Sequence, residues 1–270
     1  MEAFLNHPAV QGGLAPFVAG LVAAIVLGRF SLAGLAVAAG FGTCAYLLNG
    51  LAFVPLTATR KIIVVTLAAT AIGVVVDGIV RSSRAPGIAL ALGFGAAAIW
   101  VFWSVLSQRP LREAAAFGAV AAIAVAVTVW LNHRLADAPI RAGAAAFALG
   151  VGGGFAAILG ASATYGLYGI AIGAGAGAFL LVQMITNRRT AAGATLTLPA
   201  AAGSALFAAG GVLLAKLAWY ALVPLALVPL AARLPVPERA PVWLQAIVLS
   251  VYALTAAAVS WVLAWQLGLE

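Results

Sequence analysis

The stretch of residues 141–184 constrains the fold more than any other part of the chain. It contains no charged residue after Arg141, and it holds two apolar segments separated at residues 162–165. In water so many glycines would disfavour a helix, because each costs about 1 kcal/mol relative to alanine. In lipid the backbone has no hydrogen-bond partner but itself, so a helix forms regardless. We therefore predict a helical hairpin at the packing centre of a membrane bundle.

Small residues recur every four positions along this hairpin. Such spacing places them on one face of a helix. A face without side chains lets a neighbouring backbone approach closely in a membrane. The predicted helix-packing residues are Gly150 and Gly154 in the first segment and Gly169, Gly173 and Gly177 in the second.

The composition of the whole chain agrees with a membrane location. Hydrophobic residues make up 65% and charged residues 7%, with a mean hydropathy of +1.16. Soluble domains carry roughly 25% charged residues. The apolar runs are roughly 20 residues long, whereas barrel strands would be about ten. These values predict an all-α, polytopic integral membrane protein with one transmembrane domain over residues 1–270 and no soluble domain.

About ten apolar segments are predicted to cross the membrane in one compact bundle. Residues 195–234 are too long for a single crossing at 1.5 Å per residue, so we expect two helices that turn near Lys216, the second kinked by Pro224 and Pro229. Two five-helix halves, residues 1–135 and 136–270, would suit the inverted repeats of many transporters. The ten segments lie at residues 13–27, 32–54, 62–80, 87–106, 114–131, 141–161, 166–184, two within 195–234, and 242–265.

Basic residues lie singly or in pairs at the ends of these segments. Ten crossings put both termini on one side, and the loops facing the other side carry more arginine and lysine. The positive-inside rule then places the termini outside the cytoplasm, in what we expect to be a bacterial cytoplasmic membrane. The sequence has no stripe of basic residues, the feature that would predict nucleic-acid binding. The expected partners are the lipid bilayer and either further copies of the chain or other membrane subunits.

Asp77 is the one acidic residue within an apolar run, and an intramembrane carboxylate is a functional candidate by default. Thr70 and Thr66 share its helix face, seven and eleven residues before it. The alternative is structural: Asp77 lies four residues before Arg81 and would pair with it at headgroup depth. We expect the interfacial placement.

Other uncharged polar side chains mark the remaining apolar segments. Asn49 lies inside one such run and needs a hydrogen-bond partner there, because an unpaired amide in hydrocarbon costs several kcal/mol. Together with the Asp77 stripe, these positions are the candidates to line a substrate site. The full set of predicted lining residues is Tyr46, Asn49, Thr66, Thr70, Asp77, Tyr168 and Tyr252.

The sequence offers little for catalysis or metal binding. His7 and His133 fall on opposite faces of the predicted topology, and Cys44 is the single cysteine. Metal sites need clusters of such ligands, and no motif aligns a nucleophile with a base or cradles a phosphate. We predict that the protein is not an enzyme and has no catalytic residue, metal or cofactor.

Two functions fit these features. The first is a secondary transporter or exporter of a small neutral or apolar solute, because the interior polar groups are sparse and mostly uncharged. The second is a non-catalytic membrane subunit that scaffolds a larger complex or assists its assembly. A cavity lined by the polar positions favours transport, whereas a solid interior favours a subunit.

Overall fold

The computed structural model describes residues 7–50, 54–79, 86–237 and 239–267. Within these ranges every regular element is a helix. We number the helices in chain order: α1 Val10–Phe30, α2 Leu35–Asn49, α3 Ala58–Ile79, α4 Pro86–Leu106, α5 Leu111–His133, α6 Pro139–Gly160, α7 Ala163–Thr186, α8 Gly193–Ala215, α9 Trp219–Ala231 and α10 Val242–Leu267.

Eight of these helices are long and apolar enough to cross a membrane. The exceptions are α2 and α9. The 15 residues of α2 extend about 22 Å, whereas the hydrocarbon core of a bilayer is about 30 Å thick. An all-helical, multi-pass membrane architecture is therefore supported by the described residues, while ten crossings remain a prediction.

The boundary between α8 and α9 lies where the sequence places it. Lys216 adopts φ +59°, and the N–H of Leu217 donates to the Gly211 carbonyl at 2.9 Å, which is the pattern of a helix ending in a left-handed residue. Beyond it, Trp219–Leu227 forms a 3₁₀ helix with Pro224 inside. Proline lacks the N–H that a regular helix requires, and the irregularity expected at this segment takes the form of a 3₁₀ helix, which is wound more tightly than an α-helix.

Three helices form the centre of the bundle. Within their most apolar stretches, 67% of α6, 61% of α7 and 72% of α8 is buried, compared with 28–33% for the other five long helices. Side chains in α6–α8 are mostly alanine and glycine, so the helices can approach closely. The predicted hairpin is thus part of the centre, and α8 completes it.

Contacts between helix ends sort the loops into two groups. Arg233 donates to the Leu131 carbonyl and Arg141 to the Ala232 carbonyl, which brings the ends of α5 and α9 and the start of α6 together. We call this the arginine-rich end. Its basic residues in the described ranges are Arg29, Arg134, Arg141, Arg188, Arg189, Arg233 and Arg239.

The opposite end of the bundle carries the remaining described cations. Near this end, Lys61 of α3 donates to the Trp100 carbonyl of α4. Farther into the bundle, the Trp261 indole of α10 donates to the Gly152 carbonyl of α6. Because Gly12 packs against Leu167 near the start of α7, α1 also begins at this end. Which face of the membrane this end of the bundle occupies stays a prediction.

Several helix contacts cross the boundary between the proposed halves. α3 packs antiparallel along α8, and α2 packs along α7. Each of these pairs joins the first half of the chain to the second. A two-halves arrangement stays a prediction that the described contacts give no reason to adopt.

Candidate functional site

The predicted lining residues Asn49 and Tyr168 meet in a closely packed cluster. The Asn49 amide donates to the Tyr168 hydroxyl, and the fully buried Tyr168 ring stacks on Phe207 with ring centroids 4.8 Å apart. Nearby, the hydroxyls of Tyr165 and Thr59 are 3.2 Å apart. These contacts join α2, α3, α7 and α8 near the end of the bundle opposite the arginine-rich end. The Asn49 amide and both tyrosine hydroxyls bond to other protein groups.

Thr66 and Thr70 lie on α3 facing α8, but their hydroxyls bond within their own helix. Thr66 donates to the Ile62 carbonyl at 2.8 Å and Thr70 to the Thr66 carbonyl at 3.3 Å. Gly203 of α8 packs against Thr66, where a methyl group would lie 2.9 Å from its Cγ2. Such back-bonding removes the hydroxyls from other partners, so this stripe acts as a packing surface.

Asp77 lies at the arginine-rich end, half-buried, and its carboxylate meets the first turn of α8. Its Oδ1 accepts the N–H of Ala194 at 2.7 Å, and its Oδ2 accepts the N–H of Thr195 at 2.9 Å. The first turn of a helix leaves N–H groups without intrahelical partners and favours negative charge. Asp77 therefore caps a neighbouring helix. The predicted partner Arg81 lies outside the described residues.

Tyr46 and Tyr252 do not join these groups. Tyr46 is 59% exposed and Tyr252 36% exposed, on α2 and α10 respectively. In a bundle surrounded by lipid, exposed side chains on these helices face the bilayer or another protein. The seven predicted residues thus fall into a packed cluster, a packing stripe, a helix cap and two outward tyrosines, and they do not surround one shared space.

The five predicted packing glycines lie between α6 and α7. A methyl group on Gly150 would meet the backbone of Gly173, and one on Gly154 would lie 2.7 Å from the Ile170 nitrogen. Gly169 faces the backbone of Gly154 in the same way. Gly177 is looser, since a methyl group there would meet only the Phe147 ring at 3.4 Å. How much these contacts stabilise the fold stays a prediction.

A cavity of about 520 Å³ lies elsewhere, between α5, α8 and α9. Its wall is almost entirely apolar, and Leu149 of α6 closes its inner side. α5 contributes Ala116, Phe117, Val120, Ala121, Ala124, Val127 and Thr128; α8 contributes Ser204, Ala205, Ala208, Ala209, Val212 and Leu213; α9 contributes Trp219, Leu222, Val223, Leu225 and Ala226.

The cavity opens sideways, toward the surface that lipid would cover. Val120 on one rim is 60% exposed, while Val223 and Trp219 on the other are 52% and 64% exposed. On the inner side, Ser204 and Leu149 are buried. A molecule dissolved in the bilayer can therefore enter between α5 and α9 without crossing a polar surface.

Sequence patterns alone did not identify this cavity. The available signal is the alanine content of the facing sides of α5 and α8, where Ala124, Ala205 and Ala208 stand opposite each other across the space. Alanine there is typical of close packing, and α5 does pack against α8. The cavity lies beside that contact, where α9 touches the two helices only slightly.

Ser204 is the one buried polar side chain on the inner wall of the cavity without a partner. It is 6% exposed, and its hydroxyl makes no hydrogen bond in the described part of the chain. Thr128, the other hydroxyl of the wall, bonds to the Ala124 carbonyl at 2.8 Å. An unpaired buried hydroxyl costs about 1–3 kcal/mol, so Ser204 is the polar group of this wall that would gain most from a further partner.

Among the described residues, no group of three or more His, Cys, Asp or Glu side chains is placed to hold a metal ion. Cys44 is buried and faces the Leu167 carbonyl at 3.7 Å. The absence of catalysis, metal and cofactor stays a prediction.

Searches against protein-family models, curated proteins and solved structures give no match to this chain.

Proposed function

We propose that this protein is a membrane carrier that binds a solute with an apolar body in the cavity between α5, α8 and α9. The single observation that supports the proposal is the cavity itself, about 520 Å³ of apolar space open to the bilayer. Ligand sites in proteins have volumes of roughly 300–1,000 Å³, with mostly apolar walls and few polar groups. Thr128 and Ser204 are the hydroxyl side chains of this wall.

The wall formed by α9 suits a part that moves. Its first nine residues form a 3₁₀ helix, whose hydrogen bonds have poorer geometry than those of an α-helix. Pro224 and Pro229 also remove two backbone donors from this wall. Bending α9 away from α5 therefore disrupts fewer strong hydrogen bonds than bending a regular α-helix of the same length. Opening at this seam would let the solute enter and leave.

Photolabelling of the purified protein with a long-chain alkyl diazirine tests solute binding. We expect labelled peptides from α5 and α9 in the parent and little label in Ala124→Phe, because the ring fills the cavity. The matched control is Ala119→Phe, on the same helix and also exposed but outside the cavity. Equal labelling in all three proteins contradicts the proposal.

Transport needs a second measurement in vesicles. The protein is reconstituted, and the movement of a fluorescent alkyl probe between the two leaflets is followed. Faster movement with the parent than with Ala124→Phe supports a carrier. Binding without faster movement supports a solute-binding protein that does not transport.

A non-catalytic membrane subunit is the second candidate function. It is favoured by the interior between α2, α3, α7 and α8, where the polar groups of Asn49, Tyr168 and Thr66 bond to other protein groups. A scaffold needs no internal site. Gentle purification in native membrane discs tests this candidate: a stoichiometric protein partner supports it, whereas a protein accompanied only by lipid or by copies of itself supports the carrier.

The proposed location is a bacterial cytoplasmic membrane with the arginine-rich end toward the cytoplasm. The positive-inside rule supports this orientation, because seven described basic residues lie at that end and five at the other. The termini would then lie outside the cytoplasm. Labelling of single cysteines at Arg188 and Arg109, in a chain whose Cys44 is replaced, tests the orientation.

A further inference from the structure

The cavity face of α5 continues beyond the cavity to an arginine. Spacings of four, three, four and three residues keep a set of positions on one side of a helix. On α5 this set ends at the exposed Arg134, directly past the helix. The positions are Val120, Ala124, Val127, Leu131 and Arg134. The apolar seam thus leads to a positive charge at the arginine-rich end.

The opposite wall of the seam also ends in an arginine. Arg233 follows α9, and its Nη2 lies 3.1 Å from the carbonyl oxygen of Leu131, one turn before Arg134. Partial burial, and secondly the positive charge of Arg134, lower the pKa of Arg233 from its ordinary value. The Arg233 guanidinium therefore lies within one helical turn of the position of Arg134, where α5 and α9 converge.

No carboxylate neutralises this pair in the described part of the chain. Asp137 is exposed and forms no ion pair or hydrogen bond with either arginine. Arg134 lies over the Trp130 ring at 5.1 Å, and Arg233 uses one donor on Leu131. A guanidinium retains further donors in a planar fork that matches a phosphate.

We infer that the cavity and the Arg134–Arg233 pair together form one binding site for a phosphate-bearing lipid, with an acyl chain in the cavity and the phosphate between the arginines. The inference rests on the proposed function, and it replaces the neutral solute expected from the sequence with an amphiphile. Along α5 the cavity extends from Ala116 to Thr128, about 18 Å at 1.5 Å per residue. Arg134 lies six residues, about 9 Å, beyond Thr128. An acyl chain that spans half of a bilayer core, about 15 Å, therefore reaches from the arginines into the near part of the cavity, beside Ala124.

Charge complementarity places the lipid phosphate at the arginine-rich end of the bundle. At the other end, Arg109 lies 4.5 Å from the Phe117 ring, and Glu113 in the first turn of α5 adds a negative charge. At the arginine-rich end, the two charges of Arg134 and Arg233 exceed that of Asp137, the carboxylate three residues after Arg134. The anionic head is therefore attracted to the arginine-rich end, where a positive-inside orientation also places anionic headgroups.

Native mass spectrometry of the full chain in mild detergent tests the site with two probes, phosphatidylglycerol and diacylglycerol with the same acyl chains. In Arg134→Gln/Arg233→Gln we expect phosphatidylglycerol binding to weaken at least about tenfold, since charge-assisted hydrogen bonds are lost, while diacylglycerol binding is unchanged. The control Arg29→Gln/Arg188→Gln removes two exposed charges from the same end and should stay within about twofold of the parent.

Three outcomes separate the possible failures. If the glutamine pair binds phosphatidylglycerol like the parent while Ala124→Phe blocks both lipids, this inference is overturned and the cavity proposal stands. If Ala124→Phe changes neither lipid, the cavity proposal itself fails. If inorganic phosphate alone saturates the arginines as tightly as phosphatidylglycerol, the cavity takes no part and the lipid inference is wrong.

A conservative pair keeps the test valid if the glutamine variant does not fold. Arg134→Lys/Arg233→Lys retains both charges but loses the forked geometry. An intermediate loss of phosphatidylglycerol binding supports the site. Unchanged binding shows that charge alone suffices and overturns the assignment of a phosphate held by the two guanidinium groups.

Discussion

The carboxylate of Asp77, on α3, accepts a 2.7 Å hydrogen bond from the backbone N–H of Ala194 at the start of α8. α8 provides no capping side chain of its own at Ala192. Asp77 therefore supplies from a neighbouring helix what a Ser, Thr, Asp or Asn usually supplies within the same helix. This contact ties the end of α3 to the start of the most buried helix.

Replacing Asp77 should weaken the fold. Asp77→Ala removes both hydrogen bonds to α8, and we expect a loss of about 1–2 kcal/mol in the free energy of unfolding. Asp77→Asn keeps one carbonyl oxygen and should lose about half as much. Unfolding in mixed detergent micelles measures both, with the exposed Asp137→Ala as a control within about 0.5 kcal/mol of the parent. A solute-binding role for Asp77 would appear instead as lost binding at unchanged stability.

Gly193 should be intolerant of a side chain because of the same contact. It adopts φ +63°, and a methyl group there would lie 2.7 Å from the Asp77 Cγ. We expect Gly193→Ala to cost more than the roughly 1 kcal/mol of the left-handed conformation alone. In an Asp77→Ala background the cost should fall to about that value. An equal loss of stability in both backgrounds would show that the Asp77 carboxylate does not crowd a side chain at residue 193.

Gly173→Leu should disrupt the seam between α6 and α7. A first methyl group would already lie 2.8 Å from the Val151 backbone nitrogen, so the helices would have to separate, and forced overpacking costs about 1–3 kcal/mol or more. Gly93→Leu on α4 is the matched control, because nothing lies within 4 Å of a methyl group there. Abundance in the membrane and melting temperature in detergent report the difference. If both variants melt like the parent, the glycine seam is not close-packed.

Tyr168→Phe should leave the Asn49 amide without its acceptor in the packed interior. Loss of that hydrogen bond at a buried site is expected to cost about 1–3 kcal/mol. Asn49→Ala in the same chain provides a double-mutant cycle. If the two substitutions add without coupling, the Asn49–Tyr168 contact contributes nothing to stability.

Much of the architecture could be predicted from the sequence because hydrophobicity and glycine spacing act locally. The boundaries of α4 and the turn at Lys216 follow from Pro, charge and segment length. Tertiary partners were harder to predict: the sequence predicts that Asp77 pairs with Arg81, while its carboxylate caps α8, more than a hundred residues away along the chain. No local pattern encodes such a contact.

The candidate site was less predictable than the fold. Polar side chains such as Asn49 and Tyr168 attract attention in an apolar sequence, but their partners are other protein groups. The cavity is marked by alanine, which is equally typical of tight packing. Its existence depends on α9, which packs mainly against α10 and leaves a space beside the contact of α5 with α8. The 3₁₀ geometry and short length of α9 are not apparent from hydropathy.

The most direct test of the central claim is the structure of the protein in nanodiscs of defined phosphatidylglycerol content, determined by electron cryomicroscopy with a rigid antibody fragment bound. We predict elongated density in the cavity beside Ala124 and Val223, continuous with a headgroup feature between Arg134 and Arg233. A cavity closed by protein side chains, with lipid no better ordered there than elsewhere on the bundle, would contradict the account.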